Sequence, residues 1–278
     1  PAATWPVAVA AYLAAHLIGV AKWRLLVNAA GADLGTQRAA QAYYWGLFGN
    51  LFLPSIVGGD IVRAGVAMSH VRSRSALLLG SLVDRVQDVI GLGVLAGIGV
   101  LLAPRALDDE SRRVFTMFAV ILIGGVAAGI AVMRFFPVRL VPRKGRRLLV
   151  RVRAAIRATA RQPRALAVSL LLGLALQSLL VALNWRLGLL MGIDIPFHVW
   201  LFVWPLAKMA GLMPITQGGI GVREAAQAAL FAPFGVGAVA AVATGLVFEV
   251  VIITGGLVGG GIATMLRRQA SNQARPAV

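Results

Sequence analysis

Cysteine is absent from the 278 residues, only 10 are acidic, and 3 are histidine. Without cysteine there is no disulfide, no thiol nucleophile and no thiolate-bound metal. Three scattered histidines argue against an imidazole metal site, and no cofactor is expected. Catalytic signatures are missing too. The chain has no Gly-x4-Gly-Lys-Ser/Thr phosphate loop, no His-Glu-x2-His and no Gly-x-Ser-x-Gly, so a non-enzymatic role is expected. Charge of either sign is scarce. Charged residues make up 13% against 59% hydrophobic, and the mean hydropathy is +0.83. That balance belongs to an integral membrane protein, here a single membrane domain over residues 1–278. The first residue is Pro1 rather than Met, which leaves room for a preceding helix. The first apolar run is long enough to span and lacks a small-residue cleavage site, so it is not read as a signal peptide.

The charge that is present is lopsided, +17 in all. Eleven Lys or Arg and no acid fall between Arg134 and Arg164. Positive charge beside membrane spans marks cytoplasmic loops. Its natural partner is an anionic lipid surface, at about 1 kcal/mol per basic residue, and not nucleic acid. Arg143, Arg147 and Arg151 recur every four residues, which suits an interfacial helix. A solvated basic linker is the alternative for 137–164.

Taken in order, the apolar segments predict an all-α polytopic membrane bundle. A span over 5–27 ends at Lys22 and Arg24, read as snorkelling topology markers. Residues 39–53 are apolar but too short to cross comfortably. They stop at Pro54, resume as a short helix, and emerge basic near 70–74. Both flanks look cytoplasmic, so 39–70 is predicted to be a re-entrant hairpin. A second span over 75–103 completes a first repeat (5–103). An extra span over 114–136 returns inward. The order span, hairpin, span then recurs over 165–266, with its own hairpin over 199–231. The odd extra span turns this second repeat upside down.

Each hairpin carries the same punctuation. The first reads Pro54-Ser55-Ile56-Val57-Gly58-Gly59-Asp60-Ile61-Val62-Arg63. The second reads Pro214-Ile215-Thr216-Gln217-Gly218-Gly219-Ile220-Gly221-Val222-Arg223, then Glu224. Proline breaks the helix and paired glycines permit the turn. Broken helices in corresponding places of two halves point to a transporter's binding site. An arginine inside a span costs about 2.5–3.5 kcal/mol on insertion scales, so Arg63 and Arg223 should face a partner or a polar cavity. With the free N–H groups of the helix starting after Gly58-Gly59 or Gly218-Gly219, they suit a phosphate. Alternatively each arginine pairs with its neighbour, Asp60 or Glu224, and only staples its hairpin. Asn50, Ser55, Thr216 and Gln217 either contact a head group or satisfy freed backbone. Lys208 is a further head-group contact.

Asp84, Arg85 and Asp88 within the second span, and Glu249 within the last, form a coupling or ion-pair tier. Asp84 and Asp88 share a helix face. Arg85 with Glu249 is one possible buried pair; proton relay is the other reading. His16 is expected to be packed and hydrogen-bonded. Gly255-Gly256 and Gly259-Gly260-Gly261 suit close helix packing.

The run from Asn50 through Pro54 and Gly58-Gly59-Asp60 to Arg63, the later Asp84-Arg85, and Gly218 through Glu224 resemble the lysylphosphatidylglycerol synthase transmembrane family. The resemblance covers nearly the whole chain. It implies a flippase-like lipid domain of bacterial or archaeal membranes with paired re-entrant helices, placed here in a bacterial cytoplasmic membrane. The aminoacyl-transferase domain of bifunctional members is not among these residues, so synthase activity is not expected. Phe248-Glu249 stands where the first half has Asp84-Arg85, a departure from matched halves. The leading expectation is translocation of a lipid with an anionic or zwitterionic head group. A non-transporting accessory protein for a glycosyltransferase or aminoacyl-transferase is the rival. A lipid-modifying enzyme with Asp60 or Glu224 as base is a third reading.

Overall fold

A computed structural model describes residues 4–53, 58–102, 159–212, 216 and 219–273, with isolated positions between 113 and 157. Every regular element among the described residues is helical. The helices are α1 (Thr4–Ala29), α2 (Thr36–Gly49), α3 (Gly58–Ala67), α4 (Arg74–Leu102), α5 (Pro163–Leu190), α6 (Phe197–Ala210), α7 (Val222–Phe231) and α8 (Ala238–Gln273). A short 3-10 turn, Ala232–Phe234, joins the last two. The expected extra span over 114–136 and most of the basic segment over 137–164 lie outside the described residues, apart from isolated positions.

Length sorts the helices into two kinds. Helices α1, α4, α5 and α8 are long and apolar enough to cross a membrane. By contrast α2 and α6 have 14 residues each, and α3 and α7 have 10 each. At 1.5 Å per residue, 14 residues reach about 21 Å, short of a hydrocarbon core of about 30 Å. None of the four short helices crosses alone.

Local chemistry explains the ends. Helix α1 stops at Gly31, whose φ is +96°. Asn28 closes the turn, its amide donating to the Leu34 carbonyl (3.0 Å) and its oxygen accepting from the Leu34 N–H (2.7 Å). Helix α6 is buried from Val199 through Ala207. A helix apolar all round belongs inside a bundle. It lies so close to α4 that a Cβ on Gly99 would sit 2.6 Å from the Phe202 nitrogen. Helix α2 packs on α8 in the same way, where a Cβ on Gly260 would sit 2.7 Å from the Phe48 ring. Helices α2 and α6 thus each lean on the final long helix of the other half. Small residues permit this where no hydrophobic effect drives helices together. Of the glycines of the last span, Gly255, Gly256, Gly259 and Gly260 do serve close packing, whereas Gly261 faces open space.

Candidate functional site

Helix α3 begins at the first glycine pair. The Gly59 N–H donates to Asn50 Oδ1 at 2.7 Å, so a side chain from the end of α2 caps α3. A Cβ on Gly59 would collide with the Gly46 carbonyl and with Asn50. This is the close approach that holds α2 against α3. At the second motif, Gly219 and Gly221 have φ of +80° and +87°, a region glycine enters without penalty. The Gly221 N–H donates to Glu224 Oε2 at 2.6 Å. At both helix starts a donor that the sequence offered to a phosphate is taken by the protein's own side chain. Pro54, Ser55, Pro214, Gln217 and Gly218 lie outside the described residues.

The charges of the first half close into a ring. Lys22 of α1 lies 2.8 Å from Asp84 and 2.5 Å from Asp88 of α4. Asp84 also holds Arg63 of α3 at 3.0 Å. Arg63 holds Asp60 at 3.0 Å, Asp60 holds Arg85 at 2.6 Å, and Arg85 returns to Asp88 at 3.2 Å. Three cations alternate with three acids. Removing one partner of a buried pair costs about 3–5 kcal/mol, so the ring ties α1, α3 and α4 together. The Arg63 guanidinium also lies 4.6 Å from the Trp23 ring centre and 5.4 Å from that of Tyr43, favourable cation–π contacts.

The ring has a dry side and a cavity side. Lys22 is 2% exposed, while the Arg85 side chain is 35% exposed. Lys22 therefore does not snorkel, as its place near the span's end suggested. It sits seven residues before the end of α1, deep enough to meet α4. Arg24 is half-buried and reaches towards the end of α1, where its Nε donates to the Leu34 carbonyl at 3.0 Å.

The second half has a smaller cluster. Arg223 of α7 pairs with Glu224 at 3.0 Å and with Glu249 of α8. The suggested Arg85–Glu249 pair does not form. Helix α7 packs on α8 and α3 on α4, so each cation takes the acid on its own neighbour. Arg63 and Arg223 are alike in this: each is held by one acid of its own short helix and one of the long helix that follows.

Between the halves lies a cavity of about 390 Å³. Its polar lining includes Asn50, Gly59, Asp60, Arg63, Arg85, Asp88, Gln177, Lys208, Arg223 and Glu249. Tyr12, His16, Tyr43 and Trp204 add polar aromatic groups. Its apolar border, Phe52, Ile220, Ile253 and Leu257, is exposed at the protein surface. Lys208 donates to Gln177 Oε1 at 2.8 Å and lies 4.8 Å from the Trp204 ring centre. It has no acid within ion-pair distance among the described residues. His16 Nδ1 bonds the Tyr43 hydroxyl at 3.1 Å, as expected of a packed histidine, and its Nε2 has no partner.

Both motifs thus meet in one chamber, along with Lys208 and the Asp88, Arg85 and Glu249 tier. Gly58, Gly219, Glu224 and Asp84 stand just behind the wall, outside the lining. Sequence reasoning missed Lys22, Tyr12, Tyr43 and Gln177. Gln177 carried a signal, an amide in the middle of a long apolar helix, and Tyr12 with His16 one turn on marks a polar stripe on α1.

The model of the family described as the lysylphosphatidylglycerol synthase TM region matches residues 1–260. No curated protein and no solved structure matches the chain. The chain belongs to the lysylphosphatidylglycerol synthase TM region family, a membrane domain associated with lipid-related processes.

Proposed function

We propose that the chain carries a phospholipid head group between leaflets through the central cavity, leaving the acyl chains in the bilayer. The observation that carries this reading is the grading of the cavity wall. Buried charged and polar groups line one part, and Phe52, Ile220, Ile253 and Leu257, exposed at the surface, border another. An amphiphile has the same grading. A small soluble ion would need no apolar border.

The helix order supports an inverted-repeat reading. Helices α1 to α4 and α5 to α8 follow the same sequence of long, short, short, long. With the basic flanks on one side, the α2–α3 hairpin enters from the cytoplasm and the α6–α7 hairpin from the opposite face. Broken helices meeting at the midplane of inverted repeats form transport sites. A phosphate reaching Arg63 or Arg223 displaces a carboxylate already held there. Lys208 needs no such exchange, so it makes the first contact and the two arginines follow.

Reconstitution tests this. Proteoliposomes containing an acyl-labelled fluorescent phospholipid are treated with an impermeant quencher, and the protected inner-leaflet signal is followed. Wild type is expected to expose that signal, and Arg223→Ala, checked for folding, to fall to the protein-free background. A wild type indistinguishable from empty vesicles, or a folded Arg223→Ala as fast as wild type, would overturn the proposal.

A further inference from the structure

We infer that the head group taken by this cavity is zwitterionic, with a phosphate at Lys208 and an amine at Glu249. The inference rests on the transport reading above and narrows its substrate. It follows from counting the charges that line the chamber together with those paired to them just behind its wall. The ring of Lys22, Arg63, Arg85, Asp60, Asp84 and Asp88 is neutral, every acid lying between two cations. It offers an incoming lipid no net charge.

The second half is different. One guanidinium, Arg223, serves two carboxylates, Glu224 and Glu249. That group keeps one negative charge in excess. Glu224 is turned back to the Gly221 N–H, at a helix start where a carboxylate is favoured. Glu249 borders the cavity. Lys208 borders the same cavity with an amide and an aromatic ring as neighbours in place of an acid.

The chamber therefore carries one cation without an acid partner, Lys208, and, at the carboxylates that share Arg223, one negative charge that the single guanidinium leaves over. A purely anionic head group satisfies Lys208 and leaves Glu249 repelled. A purely cationic one does the reverse. A head group bearing phosphate and amine answers both and leaves the desolvated site neutral, the condition under which buried charge is least costly. Tyr12 and Phe248 place aromatic rings on the same wall, and such rings attract ammonium groups.

The test compares two acyl-labelled probes in identical proteoliposomes, phosphatidylethanolamine and phosphatidylglycerol, each at trace level. Phosphatidylethanolamine is expected to cross about tenfold faster, the size of one charge-assisted hydrogen bond. Glu249→Gln, which leaves Arg223 paired with Glu224, should bring the ratio close to one. Lys208→Met should slow both probes. If phosphatidylglycerol crosses as fast as phosphatidylethanolamine or faster, or if folded Glu249→Gln keeps the wild-type ratio, the inference falls and transport stands. If neither probe moves with wild type, the transport reading falls and takes the inference with it. The wild-type ratio decides even where a variant fails to fold.

Discussion

The ammonium of Lys22 lies 2.8 Å from the carboxylate of Asp84, both side chains at most 4% exposed. This contact fastens α1 to α4 and completes the alternating ring that also holds Arg63. Lys22→Met leaves Asp84 with Arg63 and Asp88 with Arg85, so one negative charge is left buried in excess. A loss of about 3 kcal/mol is expected, read by thermal unfolding in detergent. Adding Asp88→Asn restores the balance and should recover part of that loss. A double variant no more stable than Lys22→Met would contradict the ring.

Two glycines of α3 should respond oppositely to alanine. A Cβ on Gly59 meets the Gly46 carbonyl, whereas one on Gly65 meets nothing within 4 Å. Gly59→Ala should destabilise by about 1–3 kcal/mol through overpacking. Gly65→Ala should be neutral or stabilise by about 0.5–1 kcal/mol, the ordinary helix-interior effect. Melting temperatures of the two variants separate these outcomes. Equal shifts would remove the close approach of α2 and α3.

The chain's lack of cysteine makes topology directly measurable. Single cysteines at Asp33 and Ser69 flank the first hairpin, and at Asp194 and Gly237 the second; all four positions are exposed. An impermeant thiol reagent is expected to reach the first pair from one side of the membrane and the second pair from the other. Opposite labelling of Asp33→Cys and Ser69→Cys would mean that α2 and α3 together cross, and the re-entrant reading would fail.

Much of this arrangement was legible in the chain because membranes impose coarse rules. Span length, basic flanks and the two Pro-Gly-Gly-Arg breaks located the four long helices and the arginines that meet in the chamber. Pairing was less legible. Arg85 and Glu249 carry opposite charge at comparable depth, yet only helix packing decides that Arg85 faces Asp60 while Glu249 faces Arg223. Lys22 was misread because a lysine near a span's end ordinarily reaches for water, and two further turns of α1 carry this one inside. Asn50 had two open readings, head-group contact or backbone cap; its 2.7 Å bond to the Gly59 N–H is the second. That bond spans a break, and no helical periodicity encodes it.

The idea that a head group enters the chamber is tested most directly by photocrosslinking. A phospholipid with a diazirine on its head group is activated in proteoliposomes, and the adducts are mapped by mass spectrometry. Adducts are expected on peptides carrying Tyr12, Gln177, Lys208 and Glu249, reduced by Lys208→Met. Adducts confined to the helix ends at the membrane surface, with those four positions unlabelled, would contradict it.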